Sequence, residues 1–444
     1  MIFEKSYFMI GIGGIGMSAI AMHLVENGAQ VWGYDREKSK LTEKLAALGA
    51  EIIYDDRVEA LPEAARKKSI EIIYTAAIPK NHPQWCFYQK QGNPMQKRAS
   101  FLGKLSNQTH SIAVGGTHGK TTTTALLTHI LLQDGRQLSA FIGGVLKGYN
   151  TNYISTGTDL SILEADEYDR SFLQLYPTHA AITAMDADHL DIYESSKGIE
   201  VGYEAFAAQV QKTLVVAFGL PLNGVTYGFD PKADYHIENI QLKEGGFEFD
   251  VVTPHEVEKN LYFNQMGQHN LQNALCALTL ARVEGVSFEV IRKGLASFPG
   301  IERRLNQYAL GECILIDDYA HHPVELKALL ETVKSFYPNR KNTIVFQPHL
   351  FSRTRDFMTE FAAILSQFDA VILLDIYPAR ELPMAGITSA TLLAQISNVN
   401  KKLVNKEALA DTLASSNADL IVMAGAGDIG LEIQKLISQL NPIT

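Results

Sequence analysis

Short aliphatic and β-branched runs alternate along this chain with glycine-rich or polar turns, each followed by a stretch of helical periodicity. That alternation predicts strand-crossover-strand units on parallel sheets, and so an α/β architecture. It occurs in three blocks. The first predicts a strand over Tyr7–Ile10, a helix around Met17–Asn27 and a second strand ending at Asp35. The second opens with a strand over Ser111–Val114 and a long helix that Asp134-Gly135 should terminate. Strand candidates Leu160–Leu163 and Ala180–Thr183 follow, then an antiparallel candidate around Gly246–Phe249 and helices near Asn270–Glu284 and Phe288–Ser297. Phe298-Pro299-Gly300 breaks the pattern. Beyond it, Cys313–Ile316, Thr343–Phe346, Ala370–Leu374 and Asp419–Met423 predict a third open sheet. The domains expected are residues 1–106, 107–298 and 299–444.

Length agrees: 444 residues suggest about three domains at roughly 150 residues each. With 39 Lys and Arg against 49 Asp and Glu the net charge is −10, which disfavours nucleic acid or an anionic membrane as partner. Small ligands are expected instead. Cys86, Cys276 and Cys313 form no close pair, so no disulfide framework is expected. No apolar run approaches the ~18 residues of a membrane span, and the first residues lack the continuous apolar stretch of a signal peptide. A cytoplasmic protein, monomeric or weakly dimeric, is the expectation.

Candidate chemistry sits at strand ends. Gly11-Ile12-Gly13-Gly14-Ile15-Gly16 is a G-x-G-x-x-G turn between strand and helix, and Asp35 follows Gly16 by about the 20 residues expected of a ribose-binding acid. The first domain is therefore Rossmann-like, with helix-start amides placed to meet a diphosphate. Taken alone, this turn predicts a nicotinamide oxidoreductase. Gly115-Gly116-Thr117-His118-Gly119-Lys120-Thr121-Thr122 repeats the context with a P-loop ending, although Val114 stands where the first P-loop glycine is usual. Lys120 should reach the terminal phosphates of a nucleoside triphosphate and Thr121 should ligate Mg²⁺. Glu164, within Glu164-Ala165-Asp166-Glu167, and His189, within Asp186-Ala187-Asp188-His189, should open on the same sheet edge. Magnesium takes few carboxylates, so most of these acids must serve otherwise. In the third block, Asp317-Asp318-Tyr319-Ala320-His321-His322 and Gln347-Pro348-His349-Leu350-Phe351-Ser352-Arg353 lie at strand ends. No Cys or spaced His completes a zinc set there, whereas the arginines suit a carboxylate or phosphate.

Taken in order, these motifs resemble those of the Mur ligases, from Gly11 to Gly430. The resemblance implies an ATP-dependent, Mg²⁺-requiring amide ligase of the branch that adds L-alanine to UDP-N-acetylmuramate. It implies a Rossmann-like first domain holding the UDP-sugar through Gly11, Gly13, Gly14, Gly16, Asp35 and Thr75, with Asn152 also on that substrate. It also implies a central domain binding ATP through Gly116, Thr117, His118, Gly119, Lys120, Thr121 and Thr122. His269, Asn270, Arg304 and Asp317 would complete the nucleotide site, and Thr121, Glu164 and His189 the metal site. In a Rossmann-like third domain, Arg353 would hold a carboxylate while His349 or His321 orients the amine. Two departures stand out: Leu350 replaces the arginine of F-Q-P-H-R, and Ala207-Ala208-Gln209 replaces a modified-lysine context. The rivals are the sister ligase that recycles a tripeptide onto the same UDP-sugar and, in another class, the oxidoreductase read from Gly11 to Asp35. The latter leaves Lys120 to Thr124 unexplained.

Overall fold

Aliphatic runs become strands and the glycine turns become their exits, giving three separate sheets. The computed structural model describes residues 4–186, 196–379, 381–398, 400–416 and 418–440. In the first sheet, β1 (Ser6–Ile10), β2 (Gln30–Tyr34), β3 (Glu51–Ile53), β4 (Glu71–Tyr74) and β5 (Met95–Lys97) run parallel in the order β3-β2-β1-β4-β5. The order reverses between β1 and β4, the crevice where open α/β sheets bind ligands.

The second sheet has ten strands: β6 (His110–Gly115), β7 (Leu138–Leu146), β8 (Thr151–Ser155), β9 (Leu160–Ala165), β10 (His179–Ile182), β11 (Thr213–Ala217), β12 (Val225–Gly228), β13 (Tyr235–Lys243), β14 (Gly246–Val252) and β15 (Val257–Phe263). Their order is β15-β14-β13-β12-β11-β10-β6-β9-β7-β8. β6 lies between β10 and β9, parallel to both. The two-residue link Glu244-Gly245 joins β13 to β14, a connection only antiparallel neighbours can use. The predicted long helix runs Lys120–Gln133 and stops at Asp134, with Gly135 left-handed at φ 73°.

The third sheet comprises β16 (Asn306–Leu310), β17 (Cys313–Asp318), β18 (Asn342–Phe346), β19 (Ala370–Leu373), β20 (Lys401–Leu403) and β21 (Leu420–Ala424), ordered β16-β17-β21-β18-β19-β20. Only β16 is antiparallel to its neighbour. The four strands predicted here form; the edge strands β16 and β20 add to them.

Two compact units result. One comprises residues 1–241, 248–263 and 272–299; the other comprises 242–247, 264–271 and 300–444. The first two sheets share the first unit because one buried cluster spans both, joining Tyr7, Met22 and Phe101 to Phe141, Tyr153 and Phe206. The helix Arg98–Gln108 accordingly runs through the predicted cut at 106/107. Among the described residues, no helix is long and apolar enough to cross a membrane.

Candidate active site

The centre of the first unit is built where β6 ends. Gly116 turns the chain at φ 135°, beyond the left-handed basin that other residues visit, and a Cβ there would meet the Ala184 and Thr183 nitrogens at 2.8 and 2.9 Å. The loop lies that close because it is tied to the chain leaving β10. Thr117 N donates to Ala184 O at 3.1 Å, Asp186 N donates to Thr117 Oγ1 at 3.0 Å, and the Thr183 hydroxyl donates to His118 O. His118 Nε2 stands 3.7 Å from Asp186 Oδ2.

Lys120 begins the following helix, and its ammonium bonds Gly116 O at 2.6 Å and both Glu167 oxygens at 2.7 and 3.0 Å. Burial opposes its charge, but the carboxylates of Glu167, Asp166 and Glu164 outweigh that and hold its pKa above the ordinary lysine value. On the neighbouring strand, Val114 pairs with Glu164, which places this carboxylate beside the loop. Thr121 Oγ1 donates to Glu164 Oε2 at 3.2 Å, and Gly143 N donates to Oε1 at 2.6 Å. Burial raises the Glu164 pKa, with Gly143, Lys120 and Thr121 pulling the other way. A hydroxyl and a carboxylate oxygen converging beside a lysine are hard donors suited to Mg²⁺ on a triphosphate. The group fits these residues. His189 lies outside the described residues.

The threonine run has a second cause. Thr123 and Thr124 are fully buried and Thr122 nearly so, so part of that stretch is helix core rather than ligand cradle.

In the first sheet, Gly11 N and Ile12 N both donate to Tyr34 O, at 2.8 and 3.0 Å, and fold the glycine turn over the end of β2. Asp35 Oδ2 accepts from Gly13 N at 2.7 Å, so this acid fastens the turn itself. Gly14 precedes the helix Ile15–Glu26 without a side-chain cap, the arrangement that leaves first-turn amides to an anion. Thr75, leaving β4, sits against Gly11. Asn152 is fully buried: its Nδ2 donates to Ile15 O and to Ser18 Oγ, placing it behind the turn as a brace. Arg98, absent from the sequence reading, packs against Gly16 and bonds Asp166 Oδ2 at 3.0 Å. One guanidinium thus joins the glycine turn to the acidic strand end.

The second unit gathers its own cluster where β17 and β18 end. Asp317, buried and 3.7 Å from Arg303 Nε, has its pKa pushed up to about 7 by desolvation, which Arg303 opposes. The acid's ion-pair partner is Arg303, a residue that the sequence reading did not assign to the site. Arg303 also donates to Gly425 O and Gly427 O, and both guanidiniums lie over the Tyr319 ring, at 5.1 and 5.2 Å. His321 Nδ1 is 2.9 Å from Tyr319 O and 3.2 Å from Glu325 Oε2; burial holds its pKa below the ordinary value. Its ring lies edge-on to His349 at 5.9 Å, and His349 stacks on Tyr377 and approaches Arg353 Nη1 at 3.5 Å. His321, His349 and Arg353 are thus brought together. Leu350 caps the short helix Phe351–Asp356 at φ 70°, anchored by Leu350 N donating to Tyr377 O at 2.9 Å. His269 and Asn270 belong to the segment 264–271 of this unit, and Asn270 Nδ2 donates to Met266 O at 2.9 Å.

Three family models match in succession: "Mur ligase family, catalytic domain" over residues 6–110, "Mur ligase middle domain" over 114–281 and "Mur ligase, glutamate ligase domain" over 303–427. A UDP-N-acetylmuramate–L-alanine ligase of Christiangramia forsetii is 47% identical over 97% of both chains. The crystal structure of a UDP-N-acetylmuramate-alanine ligase from Thermotoga maritima superposes with a TM-score of 0.84, at 26% identity over 98% of each chain. A murein peptide ligase from Psychrobacter arcticus shares the fold, with a TM-score of 0.74 at 21% identity over 99% of both. Matched by these three models in succession and by relatives over nearly its whole length, the chain belongs to the Mur ligase family.

Proposed function

We propose that this chain is an ATP-dependent ligase of the cytoplasm that joins L-alanine to the lactyl carboxylate of UDP-N-acetylmuramate, releasing ADP and phosphate. The observation that carries the chemistry is the convergence of Lys120, Thr121 and Glu164 on one sheet edge; the identity to named alanine ligases supports the substrates. The division of labour follows three domains, residues 1–106, 107–298 and 299–444. Gly11, Gly13, Gly14, Gly16 and Thr75 would cradle the UDP-sugar, with Asp35 and Asn152 holding that turn in shape.

A carboxylate is a poor acylating agent, so its oxygen first takes the γ-phosphoryl group of ATP, and the resulting acyl phosphate then has a good leaving group. Lys120 would exchange Glu167 for phosphoryl oxygens and neutralise the charge spreading over them. Gly116, Thr117, His118, Gly119 and Thr122 shape the phosphate loop. Thr121 and Glu164, with His189, would hold Mg²⁺, which supplies charge neutralisation on the phosphates. His269, Asn270, Arg304 and Asp317 would serve the remainder of the nucleotide.

Alanine must attack as a free amine. His321 is suited to accept its proton: burial holds its pKa below the ordinary value, and with Nδ1–H donated to Tyr319 O the Nε2 lone pair is the acceptor. Arg353 would clamp the alanine carboxylate, with His349 held on Tyr377 to orient the amine. A ligation assay offering UDP-N-acetylmuramate, ATP and either L-alanine or L-Ala-D-Glu-diaminopimelate tests this reading. Faster use of L-alanine is expected; faster use of the tripeptide would replace it with the recycling reaction.

A further inference from the structure

At the end of the second sheet opposite the phosphate loop, His110 opens β6 and His179 opens β10, two adjacent parallel strands. Glu284 follows the helix Gln268–Val283 and reaches both. His110 Nε2 lies 2.8 Å and His179 Nε2 3.7 Å from Glu284 Oε1, and the two rings meet edge to face at 5.5 Å. One ligand atom from each of the three falls within 4.8 Å of the others.

The His110–Glu284 hydrogen bond accounts for two of the three side chains but not for His179. That side chain is only 10% exposed. Among the described residues its Nδ1 has no hydrogen-bond partner, and its Nε2 stands beyond hydrogen-bond reach of the carboxylate. A buried imidazole aimed at a carboxylate it does not bond lacks one participant. We propose that His110, His179 and Glu284 form a divalent transition-metal site of the Zn²⁺ class.

Two imidazole nitrogens and one carboxylate oxygen are a ligand set zinc uses, with ligand atoms roughly 3.3 Å apart for bonds near 2 Å. The observed 2.8 and 3.7 Å bracket that spacing. His110 is 35% exposed, which leaves water a route to the fourth position. Arg136, whose guanidinium bonds Glu284 O at 2.8 Å and pairs with Asp134, and Lys212, next to the Thr213 that pairs with His179, border the cluster. One carboxylate beside two imidazoles disfavours an ion held by charge alone, such as Mg²⁺, and favours one that bonds imidazole. Bound there, the ion ties two strand starts to a helix end, a structural task separate from Lys120 and Glu164.

The test is titration of the full-length protein with Co²⁺, a spectroscopic substitute for zinc, in excess Mg²⁺ to fill the nucleotide site. One equivalent should give the visible absorption of a low-coordinate ion. Glu284→Gln and His179→Gln should weaken Co²⁺ binding at least about tenfold, whereas Glu164→Gln should leave the band intact. Zn²⁺ should raise the melting temperature of the wild type and not that of Glu284→Gln. If Glu284→Gln does not fold, the half-exposed His110→Gln takes its place in both measurements. No band, a band surviving both cluster substitutions, or a band lost in Glu164→Gln would overturn the proposal.

Discussion

Replacing Lys120 by methionine keeps the aliphatic stem and removes the ammonium, so its effect on the fold isolates one charge. The Glu167 side chain is 3% exposed and receives two bonds from that ammonium. Its carboxylate would be left inside, near two other acids. Breaking one side of a buried ion pair costs about 3–5 kcal/mol, while removing both charges is often close to neutral. Lys120→Met should therefore destabilise the first unit by about 3 kcal/mol, and Lys120→Met with Glu167→Gln should recover at least half of that. Glu167→Gln alone should cost less, because Asp166 and Glu164 still face the lysine. Trp32 and Trp85 both belong to this unit, so urea unfolding followed by tryptophan fluorescence reports on it directly. Activity should not follow stability: ADP release with UDP-N-acetylmuramate and alanine is expected to vanish in the single lysine variant and the double variant alike. A Lys120→Met protein within 1 kcal/mol of wild type, or a double variant no more stable than it, would refute the reasoning.

Further predictions follow from other sites. Gly116→Ala should cost at least about 2 kcal/mol more than Gly135→Ala in the same urea titration, since both positions have positive φ but only at Gly116 would the new Cβ meet backbone nitrogens; Gly135 has open space. Glu164→Gln should raise the Mg²⁺ concentration for half-maximal turnover at least about tenfold, read by activity against free Mg²⁺. The two units should respond to pH in opposite senses. Asp317, whose pKa rises from 3.8 to about 7 on folding, stabilises the second unit fully below the unfolded value, and that contribution, at most roughly 4 kcal/mol, is lost as pH climbs through about 7. His23, buried beside the Tyr153 hydroxyl, has its pKa lowered from 6.5 to about 4, so the first unit loses stability as pH falls from 6.5 towards 4. Melting curves of Asp317→Asn and His23→Gln should each flatten the corresponding slope.

What could be read from the sequence was what the chain writes locally. Gly11–Gly16 and Gly115–Thr122 are contiguous, and the strands before them and helices after them have periods that declare themselves. Glu164 was legible because it ends a strand, and parallel strands present their ends on one edge. Residues whose partner lies far along the chain were not. Gly143 meets Glu164 only because β7 pairs with β9, and Arg98 meets Gly16 and Asp166 only through tertiary packing. The contact of Arg303 with Asp317 depends on the left-handed backbone at Arg303 and Leu305, which no spacing announces. Asp35 and Asn152, read from the sequence as substrate contacts, lie at the glycine turn, where their polar atoms serve the turn's own amides and carbonyls. The three-residue strands β3, β5 and β20 are too short for alternation to register.

The buried contact between Lys120 and Glu167 also bears on turnover. A triphosphate that engages this lysine must take it from an internal carboxylate, so the affinity observed is the difference between two ion pairs. Phosphoryl oxygens carrying more charge than one carboxylate would win that exchange, whereas ADP, with one phosphate fewer to offer, would win it by less. On the proposed reading, Glu167 would be the competitor nearest at hand after transfer and would recapture the lysine as the product loosens. The protein would thereby carry its own displacing anion, trading tightness of nucleotide binding for speed of product departure.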